Sequence, residues 1–362
     1  MTAPASADPL AVFAALERGA AAPTWLARGI AEAWLPHGDA GGESDVRLLA
    51  VSENATFVVR VAGAPTLVVR VHRPGYVDLD QVRSELWWVD AVAAETPVAT
   101  PAPVRGLDGA LVQEVRDDAG TTWTAIGFAF VPGLMLEDVL GEGPDDAVPW
   151  FGPIGEVVAT LHAHARSWER PAGFSRFTWG LDDLVGPAAR WGRWRVAALD
   201  APDLRVLEEA ERSALTLLAD VPLDAREWGL VHGDLRPSNL MVAAGTEGVA
   251  PDAGRLTVID FDDCGLGYYL YDLAAAVSFY EHLPQAPAMA RAWVEGYTAH
   301  APLTRRDLDV AGALSMLRRL TLLGWTVTHR EDALPPDLAA AMLPGTVEVG
   351  ARYLADPRWL LG

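Results

Sequence analysis

The sequence predicts an α+β fold in two lobes, and three observations carry that prediction. Extended segments crowd the first third of the chain, helical periodicity takes over from Leu134 onward, and 362 residues that are 51% hydrophobic can fill two moderate cores. As boundaries, residues 1–44 form a helical cap, 45–133 an N lobe of antiparallel sheet plus helices, and 134–362 a mainly helical C lobe.

The cap rests on two short helical patterns, Pro9 to Arg18 and Pro23 to Leu35. Three extended segments follow, Val46 to Ser52, Thr56 to Val61 and Thr66 to Val71. The turn Ala62-Gly63-Ala64-Pro65 is short enough to make the last two an antiparallel hairpin. Alternation puts Thr66, Val68 and Arg70 on one face of the third segment and Leu67, Val69 and Val71 on the other. A helical stretch from Leu79 to Ala94 carries Glu85, and PVATPAP at 97–103 reads as an extended connector. Leu111 to Val115 and Thr122 to Phe130 then complete a five-stranded sheet.

Beyond Leu134, the helix Val148 to Trp168 holds His162 and His164, whose two-residue spacing points them to different faces and gives no metal-binding pair. Residues 170–195 set Phe174, Phe177, Trp179, Trp191 and Trp194 among Gly, Pro and Arg, as an insert closing over a ligand would, or a cover for the core. A helix is expected from Tyr269 to Tyr280, with amphipathic helices near 285–300, 305–329 and 336–353. Arg318, Arg319, His329, Arg330 and Glu331 read as a solvated face.

The chemistry concentrates between Leu230 and Leu273, in LVHGDLRPSNLMV followed by RLTVIDFDDCGLGYYLYDL. Pro237 rules out a regular strand or mid-helix, so His232 to Asn239 forms a tight loop that can turn Asp234 and Asn239 the same way. A short strand, Leu256 to Ile259, then delivers Asp260 beside the loop. A carboxylate to orient an attacking hydroxyl, then an amide oxygen and a second carboxylate for magnesium, is the set that phosphoryl transfer from ATP uses.

HGDLRPSNL followed by VIDFDD resembles the catalytic and metal-binding loops of the protein-kinase-like fold. The leading HGD, the second acid of IDFDD where protein kinases carry DFG, and the trailing YLYDLA are similar to the aminoglycoside phosphotransferase superfamily. That superfamily also holds choline, homoserine and hydroxylysine kinases and a bacterial stress-response protein kinase. The resemblance implies Asp234 as catalytic base, Asn239 and Asp260 as magnesium ligands, and Asp272 as a structural acid. It puts Arg236 where protein kinases keep a phosphate-neutralising lysine, and Arg70 at the ATP-binding lysine with Glu85 as its ion-pair partner; Arg60 on the neighbouring segment competes for the latter role. Ser52 and Asn54 lie where a phosphate-covering loop would fold, without a GxGxxG pattern. Residues 128–133 resemble the inter-lobe hinge, with the backbone of Ala129, Phe130 and Val131 facing adenine.

The implied activity uses ATP and Mg2+ to move the γ-phosphoryl group to a hydroxyl of a small metabolite or antibiotic, amine-bearing ones included. The alternatives are a Ser/Thr protein kinase of the stress-response type and a non-catalytic, nucleotide-binding pseudokinase. Composition bounds the partners, although acidity also serves solubility or reflects a compositional habit of the source. A formal charge of −21 disfavours nucleic acid and anionic membranes and permits a cationic substrate. Every basic residue is arginine, so each phosphate contact is made by a planar, permanently charged fork. The start of the chain lacks the basic segment of a signal peptide, and a single cysteine, Cys264, excludes an internal disulfide; both fit the cytoplasm.

Overall fold

The computed structural model describes residues 11–14, 16–36, 44–51, 54–74, 78–140, 143–243, 250–328, 334 and 336–361. Ser52, His329, Arg330 and Glu331 lie outside the described residues. The fold is α+β and divides into two compact units. The first runs through Ala93 and takes in Thr100–Pro132 and Pro171–Ser175; the second takes Ala94–Ala99, Gly133–Arg170 and the chain from Arg176 on.

An antiparallel sheet organises the first unit: β1 (Ser44–Val51), β2 (Asn54–Val61), β3 (Ala64–His72), β4 (Pro103–Val104), β5 (Val112–Arg116) and β6 (Thr122–Ala129). Its order is β1-β2-β3-β6-β4, with β5 also paired to β6. The sheet has six strands rather than the five expected, because the proline-rich connector pairs Pro103 with Phe128 and Val104 with Gly127. The hairpin turn is tighter than the sequence suggested. Ala62 and Gly63 alone form it, both at positive φ, and Val61 pairs with Ala64. Alternation on β3 decides what each face packs against. Leu67, Val69 and Val71 join one core with Phe13, Trp25, Leu26, Ile30 and Trp34, from the single turn Ala11–Ala14 and from α1 (Thr24–Trp34). On the other face, α2 (Leu79–Glu95) packs Val82 and Leu86 against Ile126 of β6. Arg70 points to the α2 face, and Glu85 is on α2.

The second unit holds α3 (Phe151–Ser167), α4 (Ala201–Ala219), α5 (Tyr271–Ala276), α6 (Ala286–Thr298), α7 (Arg305–Thr328) and α8 (Pro336–Ala355), with two small sheets. One sheet orders β11 (Leu256–Val258), β10 (Leu240–Val242) and β7 (Leu134–Met135); the other orders β8 (Thr178–Trp179), β12 (Gly265–Tyr268) and β9 (Trp228–Val231). The helix expected over 269–280 shrinks to α5, because the Tyr269 amide still donates across to the Glu227 carbonyl oxygen and Phe279, at φ 71, cannot sit in a right-handed helix. Helices α3 and α6 approach closely at glycines: a Cβ on Gly155 would lie 2.1 Å from the Trp293 carbonyl oxygen, and one on Gly296 2.0 Å from that of Gly152. From Val310 to Gly324 every residue of α7 is buried, which marks a helix enclosed on all sides rather than one with a wet face. Arg318 and Arg319 are both fully buried. The solvated face expected for them is corrected: each arginine has an internal acid to meet, and a paired guanidinium can be enclosed.

Candidate active site

The loop His232–Asn239 leaves β9 of one small sheet and enters β10 of the other, so both of its ends are pinned by strand pairing. Gly233 sits at φ +81, and a Cβ there would meet the Asp263 carbonyl oxygen at 2.6 Å. Only glycine fits that bend. The fully buried Asp272 carboxylate at the start of α5 accepts the amides of His232 (3.0 Å) and Gly233 (2.7 Å). It also accepts from His162 Nε2 at 3.0 Å, while His162 Nδ1 accepts the Tyr297 hydroxyl at 3.1 Å. Burial alone would raise the Asp272 carboxyl, but the bond and charge of His162, His232 and the Gly233 amide hold it below the usual range. Burial pushes His162 down from 6.5 against the pull of Asp272. A neutral imidazole donating to a carboxylate results. His162 thus braces the loop, rather than only packing its helix.

Asp234 is buried, and donors surround its carboxylate. Oδ1 accepts from Arg318 Nη2, and Oδ2 accepts from Arg236 Nε at 3.2 Å and Asn239 Nδ2 at 2.8 Å. Burial works to raise its pKa; Arg236, Arg318 and His232 outweigh burial and keep it lowered. With Nδ2 of Asn239 turned to Asp234, its Oδ1 is the atom left for a cation. Asn239 and Asp260 are held side by side, since the Ile259 amide donates to the Asn239 carbonyl oxygen at 3.0 Å and Leu240 pairs with Val258. Asp260 is exposed and adopts the left-handed conformation, φ 61 and ψ 68, tolerated by aspartate more than by most residues. Phe279 takes φ 71, and Arg236 lies over its ring at 5.5 Å. Strained backbone at two points of one site is a feature of functional centres.

The donor set fits magnesium. That ion takes one or two protein ligands and completes its shell with phosphate oxygens and water. An amide oxygen with one exposed carboxylate meets this need, and no cluster of three acidic, His or Cys ligands occurs among the described residues.

The half-buried carboxyl of Asp263 accepts no hydrogen bond from a described residue, although Trp179 Nε1 donates to its backbone oxygen at 2.8 Å. Burial, Asp262 and Asp234 push its pKa well up, against Arg318 and Arg190. From the aromatic segment, Trp179 and Trp191 reach this corner. Trp179 and Trp194 are buried, and Trp191 covers the Arg318 guanidinium at 4.4 Å.

In the first unit, Arg70 Nη2 meets Glu85 Oε1 at 2.5 Å with both residues buried, whereas Arg60 is exposed and, among the described residues, reaches the Gly63 carbonyl oxygen alone. Asn54 is the first residue of β2, buried opposite His72 rather than out on a loop. The amides of Ala129 and Phe130 already donate to Ala102 and Thr66. Of the three hinge residues, only the Val131 amide donates no backbone hydrogen bond to another described residue. Arg318 is the participant that sequence reasoning missed. Its one signal was a pair of adjacent arginines inside a largely apolar helical run.

The phosphotransferase enzyme family matches residues 45–306. Amicoumacin kinase of Bacillus subtilis is 24% identical over 235 residues, 64% of this chain and 62% of that protein. The chain spans less than two thirds of the curated relatives it matches. A microcompartment-associated aminopropanol kinase is 33% identical at a TM-score of 0.76, with 88% of this chain and 95% of that one covered. An amicoumacin kinase solved with AMP-PNP, Ca2+ and its antibiotic shares the fold at a TM-score of 0.66 and 15% identity, covering 89% and 91%.

Proposed function

This chain belongs to the phosphotransferase enzyme family, and on that premise we propose that it phosphorylates the hydroxyl of a small amino alcohol, using magnesium-ATP. The observation that carries this reading is the Asp234 carboxylate, held by three donors and set beside the Asn239–Asp260 pair. Asp234 orients the acceptor hydroxyl. The acceptor oxygen bonds the γ-phosphorus as the bond to ADP breaks, and the hydroxyl proton passes to Asp234. With its pKa held down, Asp234 is a weak base that takes the proton late, which suits a loose transition state. Arg236, one-third exposed, is the cation able to leave Asp234 for phosphate. Asn239 and Asp260 would hold magnesium, whose charge offsets that of the phosphates. The Arg70–Glu85 pair and Asn54 are assigned to the nucleotide, with the Val131 amide for adenine.

Two features favour an ammonium-bearing acceptor. The Asp263 carboxyl beside Asp234 accepts no hydrogen bond from a described residue, and the molecule carries a charge of −21. A structural relative named as an aminopropanol kinase supports the same class. The test is acceptor-dependent ADP release across paired compounds, each amino alcohol beside the same alcohol without its amine. Stimulation by the amines alone is expected. Equal stimulation by both members of every pair would reject the amine, and stimulation only by a protein substrate would return the reading to a protein kinase.

A further inference from the structure

We propose that Arg318, on α7, is a positioning residue for phosphoryl transfer, which fixes Asp234 in the orientation that receives the acceptor hydroxyl. The inference rests on the role given to Asp234 above and adds to it a residue 84 positions further along the chain. The Arg318 guanidinium is fully buried, and its three nitrogens have separate tasks. Nη2 donates to Asp234 Oδ1. Nη1 donates to the Gly233 carbonyl oxygen at 2.9 Å and to the Tyr271 hydroxyl at 2.9 Å, and Nε donates to Ser278 Oγ at 3.2 Å. One planar fork therefore grips both the carboxylate and the backbone of the glycine before it. Asp234 can neither turn about its side-chain bonds nor move with the loop without breaking a bond to Arg318.

The fork is itself held. Trp191 lies over one side at 4.4 Å and the Tyr271 ring at 5.3 Å. Trp191 is in turn braced by Trp179 at 5.2 Å, and Trp179 stacks on Tyr271 at 5.7 Å. Arg236 also reaches Asp234, but from a partly exposed position and onto the other oxygen. If Arg236 turns to phosphate, Arg318 is the cation that stays. Arginine suits the task better than lysine, because a single ammonium cannot span carboxylate, carbonyl and hydroxyl in one plane.

The experiment is a double-mutant cycle on the full chain, with acceptor-dependent ADP release and nucleotide affinity measured for Arg318→Met, Arg318→Lys, Asp234→Asn and Asp234→Asn/Arg318→Met. Arg318→Met should lower kcat about 100-fold and leave KM for the acceptor and affinity for magnesium-ATP within about 3-fold. Arg318→Lys should recover about a tenth of wild-type kcat. Adding Arg318→Met to Asp234→Asn should cost less than about 3-fold more, because the group it positions is already gone. Arg319→Met is the control: it removes an adjacent guanidinium that faces Glu281, so it should lower the melting temperature and leave kcat of the folded protein unchanged. If Arg318→Met does not fold, Arg318→Lys decides, and wild-type kcat in it overturns the proposal. Full additivity in the cycle, with Asp234→Asn impaired, overturns the role of Arg318 alone. Wild-type turnover in Asp234→Asn overturns the catalytic assignment of Asp234, and this inference with it.

Discussion

Arg70 and Glu85 face each other inside the first unit with almost no access to water, so removing one charge strands the other. Arg70→Ala should destabilise that unit by about 3–5 kcal/mol and raise the KM for ATP. Arg70→Lys keeps the charge, loses the fork and should fall between. The exposed Arg60→Ala should leave urea midpoint and ATP kinetics alone, and a harmful Arg60→Ala beside a silent Arg70→Ala would reverse the assignment. At Asp260 the expectation is narrower. Asp260→Ala should bind ATP equally with and without magnesium in calorimetric titrations, whereas the wild type should bind more tightly with it. The residues behind these expectations were legible because they lie close together in the chain: Asp234, Asn239 and Asp260 fall within one motif stretch. For Arg70, strand alternation gave only its face of the sheet, and the family resemblance supplied Glu85 as its partner. Arg318 was not legible, because its value is set by a partner 84 residues away.

The pair α3 and α6 brings His162 and Tyr297 together behind the His232–Asn239 loop, and the bare surfaces of Gly155 and Gly296 permit it. Asp272, Tyr297, the Tyr269 ring at 4.6 Å and Arg166 are the groups facing His162. Its folded pKa is lowered, chiefly by burial, so below about 6.5 the unfolded chain takes up a proton that the folded protein refuses. Stability is therefore full above that value and declines as pH falls toward the folded pKa, by at most about 1.4 kcal/mol per pH unit from this one site. His162→Gln, which keeps a donor for Asp272 and removes the titration, should flatten melting temperature against pH between 6.5 and 5. An unchanged slope would place the acid sensitivity elsewhere. The α3 helix was visible in the sequence, but the task of His162 was not, since a histidine two residues from another offers only a face count. Further on, residues 269–280 looked helical throughout, yet the Tyr269 amide bonds across to Glu227 and Phe279 turns left-handed, which leaves only α5 helical.

At the scale of the molecule, 49 acids stand against 28 arginines. Such a surplus attracts a cationic acceptor at low ionic strength and is screened within about 8 Å at physiological salt. Raising salt from about 20 to about 200 mM should therefore raise KM for an amino alcohol by about 2-fold or more, while KM for the same alcohol without its amine stays flat. Parallel behaviour of the two would remove long-range charge from the account of acceptor choice. Among the described residues no helix is long and apolar enough to cross a membrane.

What the sequence determined by itself was the α+β class, the hairpin and its faces, and the chain-local order of acid, amide and acid around residues 234–260. These follow from periodicity, turn chemistry and short spacing, which act between near neighbours. Tertiary structure alone decided that the proline-rich connector joins the sheet, that His162 braces Asp272, and that α7 is enclosed with Arg318 pressed against Asp234. A charged side chain reads as a surface residue until its partner is known. Here the partner comes from packing distant segments together, and no local pattern encodes that.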